Sequence, residues 1–273
     1  MPFVPPRSLS PSKVTSFRDC ALAFRFNAIE HLPEEPTVWT VKGTLVHRAL
    51  ERLFWNHDRG SRSPEAARAE LAHSWAELQI DQEYLALALP PADADAFRAD
   101  ADALVQNYFA LEDPDDITPV GVEITLEAQV GGVRLRGIID RLDQTADGDL
   151  VVVDYKTGRA PSPAYEQSKL IGVHIYALLC EEVLGRRPVE VKLLHLKEPT
   201  TITAEPSEQA LRGHRQKTIA VWSAIERACH DEDFRPRTSP LCNYCRFRAF
   251  CPAYGGDPDQ AALVLGSQIG GAA

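Results

Sequence analysis

The sequence predicts an α/β architecture, a mixed sheet flanked by helices, with a helical insertion ahead of most of the strands. Three observations carry this expectation. The apolar period is 3.6 residues up to about residue 112, turns to 2 through three β-branched segments, and then alternates between helix and strand. At roughly 150 residues per domain, 273 residues correspond to one large domain or one domain with substantial insertions. Hydrophobic residues at 44% and charged residues at 25% supply an ordinary core and exclude a fibrous or wholly disordered chain.

Taken in order, residues 1–11 carry four prolines and read as a flexible leader, and Ser12 can cap a helix from Lys13 to about Glu30, ended by Pro33 and Pro36. GTLVHRALERLFWNH, from Gly43 to His57, repeats Val46, Ala49, Leu50 and Leu53 at the spacing of one helix face. Ala-rich helices fit 64–79 and 91–111, and EDPDDITP at 112–119 is a solvated turn. VGVEITLEAQV, VRLRGIIDRLD and LVVVDYK then form a meander, divided by Gly131-Gly132 and Asp147-Gly148. A helix from Tyr165 to about Leu184, a strand over 189–196 and a long helix over 206–230 complete the pattern, and 255–273 reads as a flexible tail.

Twenty-nine Lys and Arg against 39 Asp and Glu give a net charge of −10, which disfavours coating nucleic acid by bulk charge. It leaves room for a nuclease, because carboxylates that hold a divalent metal count as negative here. No apolar run reaches the roughly 18 residues of a membrane span, and the first residues do not resemble a secretory signal, so the expected location is the cytoplasm.

The hairpin centred on Asp147-Gly148 pairs positions whose indices sum to about 293–295, which brings Asp140 level with residues 153–155. Asp154 and Lys156, two apart on a strand, project from the same face. Three charged groups ending otherwise apolar strands are costly to desolvate unless they serve one another or a cation. Two readings follow: an ion pair at the sheet rim, or a hard-cation site in which Asp140 and Asp154 bind Mg²⁺ and Lys156 assists the attacking water or the phosphoryl charge.

Asp140-x13-Asp154-Tyr155-Lys156 resembles the PD-(D/E)XK nuclease superfamily, and VVVDYKTGRAP resembles its RecB and AddB branch. That resemblance implies a restriction-endonuclease-like core over residues 12–252, with a helical insertion at about 58–112 and a Cys-rich patch at 235–252. It also implies metal-dependent hydrolysis of DNA, acting as an exonuclease on single strands or ends, in repair, recombination or defence. A separate helicase or repair partner would then be needed, since no motor lies in these residues. In Gly43-Thr44-Leu45-Val46-His47 it makes His47 a third metal ligand beside Asp140 and Asp154, although alone this residue reads as a half-buried helix histidine. One nitrogen and two carboxylates suit Mn²⁺ as well as Mg²⁺. Glu123 falls where relatives often carry a glutamate. Tyr176 matches a tyrosine that meets nucleic acid, but the glutamine one turn earlier is replaced by Gly172, with Gln167, Lys169 and His174 nearby on the helix. The rival expectation is a nucleic-acid-binding subunit that keeps the fold and cuts poorly.

Cys242-x2-Cys245-x5-Cys251 with the distant Cys20 suits tetrahedral zinc or an iron–sulfur cluster on chemistry alone. The resemblance, through SPSKVTSFRDCALAFRF and SPLCNYCRFRAFCP, implies a [4Fe-4S] cluster on Cys20, Cys242, Cys245 and Cys251. Closing that loop of roughly 220 residues corresponds to about 5 kcal/mol of chain entropy. Cys180 and Cys229 read as core thiols. Arg246 and Arg248, with Arg235 and Arg237 and the aromatics Tyr244, Phe247 and Phe250, form the first candidate strip for phosphates and stacked bases. Arg212, His214, Arg215 and Lys217 form the second.

Overall fold

A computed structural model describes residues 3–162 and 166–267. Ser10 Oγ accepts from the Lys13 amide at 3.2 Å and Pro11 takes the first helical position, so α1 (Pro11–Asp19) starts one turn-residue pair before the expected Ser12 cap. Extended backbone at Cys20 interrupts the single helix expected to Glu30; α2 (Ala21–Phe24) follows and passes into a π-turn over Arg25–Ile29. A Thr37/Thr40 capping box opens α3 (Val38–Asn56), five residues earlier than the apolar period alone suggests. Next come α4 (Pro64–Leu78), the short α5 (Gln82–Ala86) and α6 (Pro91–Tyr108).

The sheet has the order β1-β2-β3-β4-β5, with β1 Pro119–Val130, β2 Val133–Gln144, β3 Leu150–Lys156, β4 Glu190–His195 and β5 Thr200–Ala204. β2 and β3 are antiparallel in the register Arg141↔Val153, an index sum inside the expected window. β3 and β4 are parallel, which requires a crossover, and α7 (Glu166–Leu184) supplies it. β5, antiparallel to β4, was not anticipated: five residues with one buried side chain, Ile202, give almost no alternation to read. α8 (Glu208–Asp231) and α9 (Asp259–Ser267) follow.

The chain forms two compact units. One holds residues up to Glu34, Glu127–Arg136 and everything from Arg212 onward; the other holds Glu35–Leu126 and Gly137–Leu211. In the first unit Leu9 is fully buried and bridges Leu135, donating to Arg134 O and accepting from Arg136 N. The Phe3 amide also bonds Cys229 O, and the tail carries α9, whose Asp259 pairs with Arg25. In the second unit α3, α4 and α6 bury Leu45, Leu50, Leu53, Trp75, Phe97 and Tyr108 together with Val151, Val153 and Tyr155 of β3. Each fully buried Leu or Phe contributes about 1.5–3 kcal/mol, so this core holds α3 rigidly against the sheet. No helix among the described residues is long and apolar enough to cross a membrane.

Candidate active site

Alternation along β3 sends Tyr155 into the helical core and leaves Asp154 and Lys156 on the opposite face. One step beyond Arg141↔Val153, Asp140 stands level with Asp154, and its Oδ2 accepts the Tyr155 amide at 2.7 Å. From α3, His47 brings Nδ1 to 3.5 Å from the same oxygen, its ring edge-on to Tyr155 at 5.8 Å. Lys156 ion-pairs with the buried Asp154 carboxylate. All four side chains expected around one ion therefore meet in the second unit.

The structure adds Glu123 of β1. Ligand atoms of His47, Glu123 and Asp140 lie within 4.8 Å of one another, and among the described residues this is the one such group of three or more. Glu123 adopts φ +48°, a left-handed conformation uncommon for a side-chain-bearing residue and often found at functional sites. From sequence, only its position ahead of the GIID segment marked it.

The electrostatics are those of a cluster short of positive charge. Burial, then the charge of Asp140, pushes Glu123 up to about 7. Asp154 rises to about 6 through burial and Asp140, against the opposing pull of Lys156 and His47. For His47 burial acts downward, but the hydrogen bond to Asp140 and the charges of Asp140, Asp154 and Glu123 win, so its proton is held more tightly than usual. Tyr176 is raised by burial and by the same three carboxylates, which places it beside the acidic group, packed over Gly137. His174, on the same helix, is buried with Nδ1 2.7 Å from Leu170 O. The side chains of Gln167 and Lys169 lie outside the described residues.

Behind β3 lies a feature the sequence did not disclose. Arg141, fully buried, donates Nε to both oxygens of Asp143 at 2.9 and 3.0 Å and Nη2 to Glu112 at 2.7 Å. Its Nη1 reaches the Tyr108 and Tyr155 hydroxyls at 3.0 and 2.7 Å. This network fixes the strand that carries Asp154 and Lys156.

In the first unit Cys20, Cys242, Cys245 and Cys251 are half-buried free thiols. The Cys245 thiol is pushed up by burial and by the charges of the other three, so the four share one patch. No three of these sulfurs lie within 4.8 Å of one another. The Ser239 amide donates to Cys242 Sγ at 3.3 Å and, with the Tyr254 hydroxyl, holds that thiol below its usual range. Cys180 and Cys229 are buried, pushed up to about 12 and about 11 by burial. Arg246 and Arg248 are exposed, over the rings of Phe247 and Tyr254 at 5.4 and 4.3 Å. Phe247 is a correction to the stacking strip: it is buried 5.0 Å from Phe26 and faces no solvent. Tyr244 remains 89% exposed, Arg235 pairs with Asp233, and Arg237 donates to Arg18 O. The second basic strip lies on α8.

A mixed sheet that presents three carboxylates and a lysine from adjoining strands, beside a histidine supplied by α3, defines a scaffold suited to metal-dependent phosphodiester hydrolysis. The family comparison makes the assignment specific: residues 8–252 match the model of the PD-(D/E)XK nuclease superfamily, and the chain belongs to that superfamily. It is 22% identical over 265 residues to Gene 69 protein of Mycobacterium phage D29, covering 90% of this chain and 96% of that one. In fold it is similar to the crystal structure of a protein named "Putative exonuclease" from Eubacterium rectale, with a TM-score of 0.53, 12% identity, and coverage of 88% of this chain and 87% of the other.

Proposed function

We propose that this nuclease is a RecB/AddB-like deoxyribonuclease, an exonuclease on single strands or DNA ends, with residues 12–252 working as one nuclease domain. The observation that carries the reading is the meeting of His47, Glu123, Asp140 and Asp154 with one ammonium, Lys156, beside them. The donor set fits a divalent cation: one imidazole and oxygen ligands, three carboxylates with one lysine among them, and two of those carboxylates raised toward neutral pH by burial and by the charge of Asp140. Mg²⁺ or Mn²⁺ held by His47, Asp140 and Asp154, with Glu123, would supply Lewis-acid polarisation of the scissile phosphate and a water of lowered pKa.

The residues themselves do the rest. The Tyr155 amide fixes Asp140, and Asp140 in turn orients the His47 ring. Lys156 stands beside Asp154, where its ammonium would meet negative charge developing on the phosphate. Tyr176, with Arg246 and Arg248 elsewhere, would contact the DNA.

The four-thiol patch fits a [4Fe-4S] cluster on Cys20, Cys242, Cys245 and Cys251. Anaerobically purified protein should be brown and absorb near 400 nm; a colourless protein with stoichiometric zinc would replace the cluster with zinc.

The deciding assay uses 5′- and 3′-labelled single- and double-stranded DNA with Mg²⁺ or Mn²⁺, comparing wild type with Lys156→Ala. Metal-dependent cleavage that disappears in the variant is expected. Failure of the anaerobically prepared wild type on every substrate would leave a binding subunit in place of an enzyme.

A further inference from the structure

We infer that a cavity between α3 and α4, about 450 Å³, receives one unpaired nucleobase of the substrate strand next to the scissile phosphate, a proposal that rests on the nuclease reading above. Its volume falls in the range of small-ligand pockets, and ion pairs and hydrogen bonds tie several of its lining groups to one another. Arg52 donates to both oxygens of Glu77 at 2.8 Å, while Glu70 accepts from Asn56 at 3.2 Å and meets His57 at 2.9 Å. Against these fixed polar groups stands the indole of Trp55, 75% exposed at the end of a helix whose other large apolar side chains are mostly in the core.

The chemistry selects a base. Glu51, Glu70 and Glu77 line the space with only two arginines, so a phosphodiester inside would be repelled. A heterocycle with both donors and acceptors on its edge and a π-face for Trp55 complements every feature of the lining. Arg48, in the same lining, can meet a phosphate: its charge reaches Glu77, but it has no carboxylate within 4.0 Å among the described residues, in contrast to Arg52, and it directly follows His47. Trp55 lies eight residues beyond His47, about 12 Å along the helix axis, and Glu51, midway, is close enough to raise Glu123. That separation fits a base a nucleotide or two from the reacting phosphate. A base stacked inside a duplex cannot enter, so the cavity selects unpaired strands.

The test uses the complete chain carrying Lys156→Ala, so that DNA is bound and not cut. Anisotropy titrations with a labelled oligodeoxythymidylate and with a matched blunt duplex are compared at fixed salt. Adding Trp55→Ala should weaken single-strand binding at least about fivefold and leave duplex binding unchanged. Trp55→Phe should restore most of the loss, and Arg48→Gln should flatten the salt dependence by about one charge. Single-strand affinity unchanged in Trp55→Ala, with wild-type thermal stability, would overturn the base site. If wild type still cleaves DNA in that case, the nuclease reading stands; if Trp55 governs binding but no metal supports cleavage, the base site stands and the nuclease reading falls.

Discussion

Two charged clusters sit on opposite faces of the same strands, and they have opposite characters. On the core face Arg141 is enclosed by Glu112, Asp143 and two tyrosine hydroxyls, every guanidinium edge bonded. On the other face Asp140, Asp154 and Glu123 share one lysine and one histidine. A buried charge network that satisfies itself is structure; one left short of countercharge in a half-enclosed site awaits a cation. The contrast separates scaffold from chemistry within two neighbouring residues, Asp140 and Arg141.

Substitution should break the two clusters in different observables. Asp154→Asn is expected to lower cleavage at least about a thousandfold, about 4 kcal/mol of barrier, while the melting temperature of metal-free protein holds or rises because a buried carboxylate is gone. Arg141→Met should do the reverse in kind. It leaves Glu112 and Asp143 without their cation and should cost about 3–5 kcal/mol of stability, read from denaturant midpoints with and without metal. Equal losses of stability from both substitutions would erase the distinction.

Glu123→Gln sharpens the comparison. If Glu123 is a ligand, Mn²⁺ affinity measured by calorimetry should fall about 10–100-fold with little loss of fold. The pH dependence has a definite sign. Glu123 and Asp154 bind protons more tightly in the folded chain, so their contribution to metal-free stability is complete below the unfolded carboxylate range near pH 4. It is lost as pH rises through about 6 and about 7. Metal competes with those protons, so the thermal shift given by Mn²⁺ should grow from pH 5.5 to 8, and Glu123→Gln should flatten the upper part of that rise.

The acidic pair was legible because antiparallel register is arithmetic: the Asp147-Gly148 turn fixes which residues face each other, and two-residue alternation fixes the face. The Arg141 network was not, since an arginine between Asp140 and Leu142 looks the same in sequence whether it reaches solvent or four partners separated by up to 33 positions. α5 and β5 are too short for a period to emerge, and the break at Cys20 is a backbone event without a Gly or Pro to mark it. The burial of Leu9 and the backbone bonds of the leader have no periodic signature to read. Glu123 was visible as a position but not as a ligand, because its approach depends on a left-handed backbone that no local residue type requires.

The smallest effect tests how the acidic face is roofed. A methyl at Gly137 would lie 2.8 Å from Tyr176 Cε1 and 2.9 Å from Leu179 Cδ1, so Gly137→Ala must displace the side chains of α7. Such overpacking costs about 1–3 kcal/mol. The candidate ligands stand on β1, α3, β2 and β3, not on α7, so Mn²⁺ affinity should stay within about twofold on that account. Cleavage should nevertheless fall, because Tyr176 leaves its place beside Asp140 and Asp154. Paired calorimetry and initial-rate measurements on Gly137→Ala, with Tyr176→Phe as the companion that keeps the ring and removes the hydroxyl, distinguish the ring's packing from its polar tip. If metal affinity and rate fell together, α7 would be part of the metal site's support and the division between ligands and roof would be wrong.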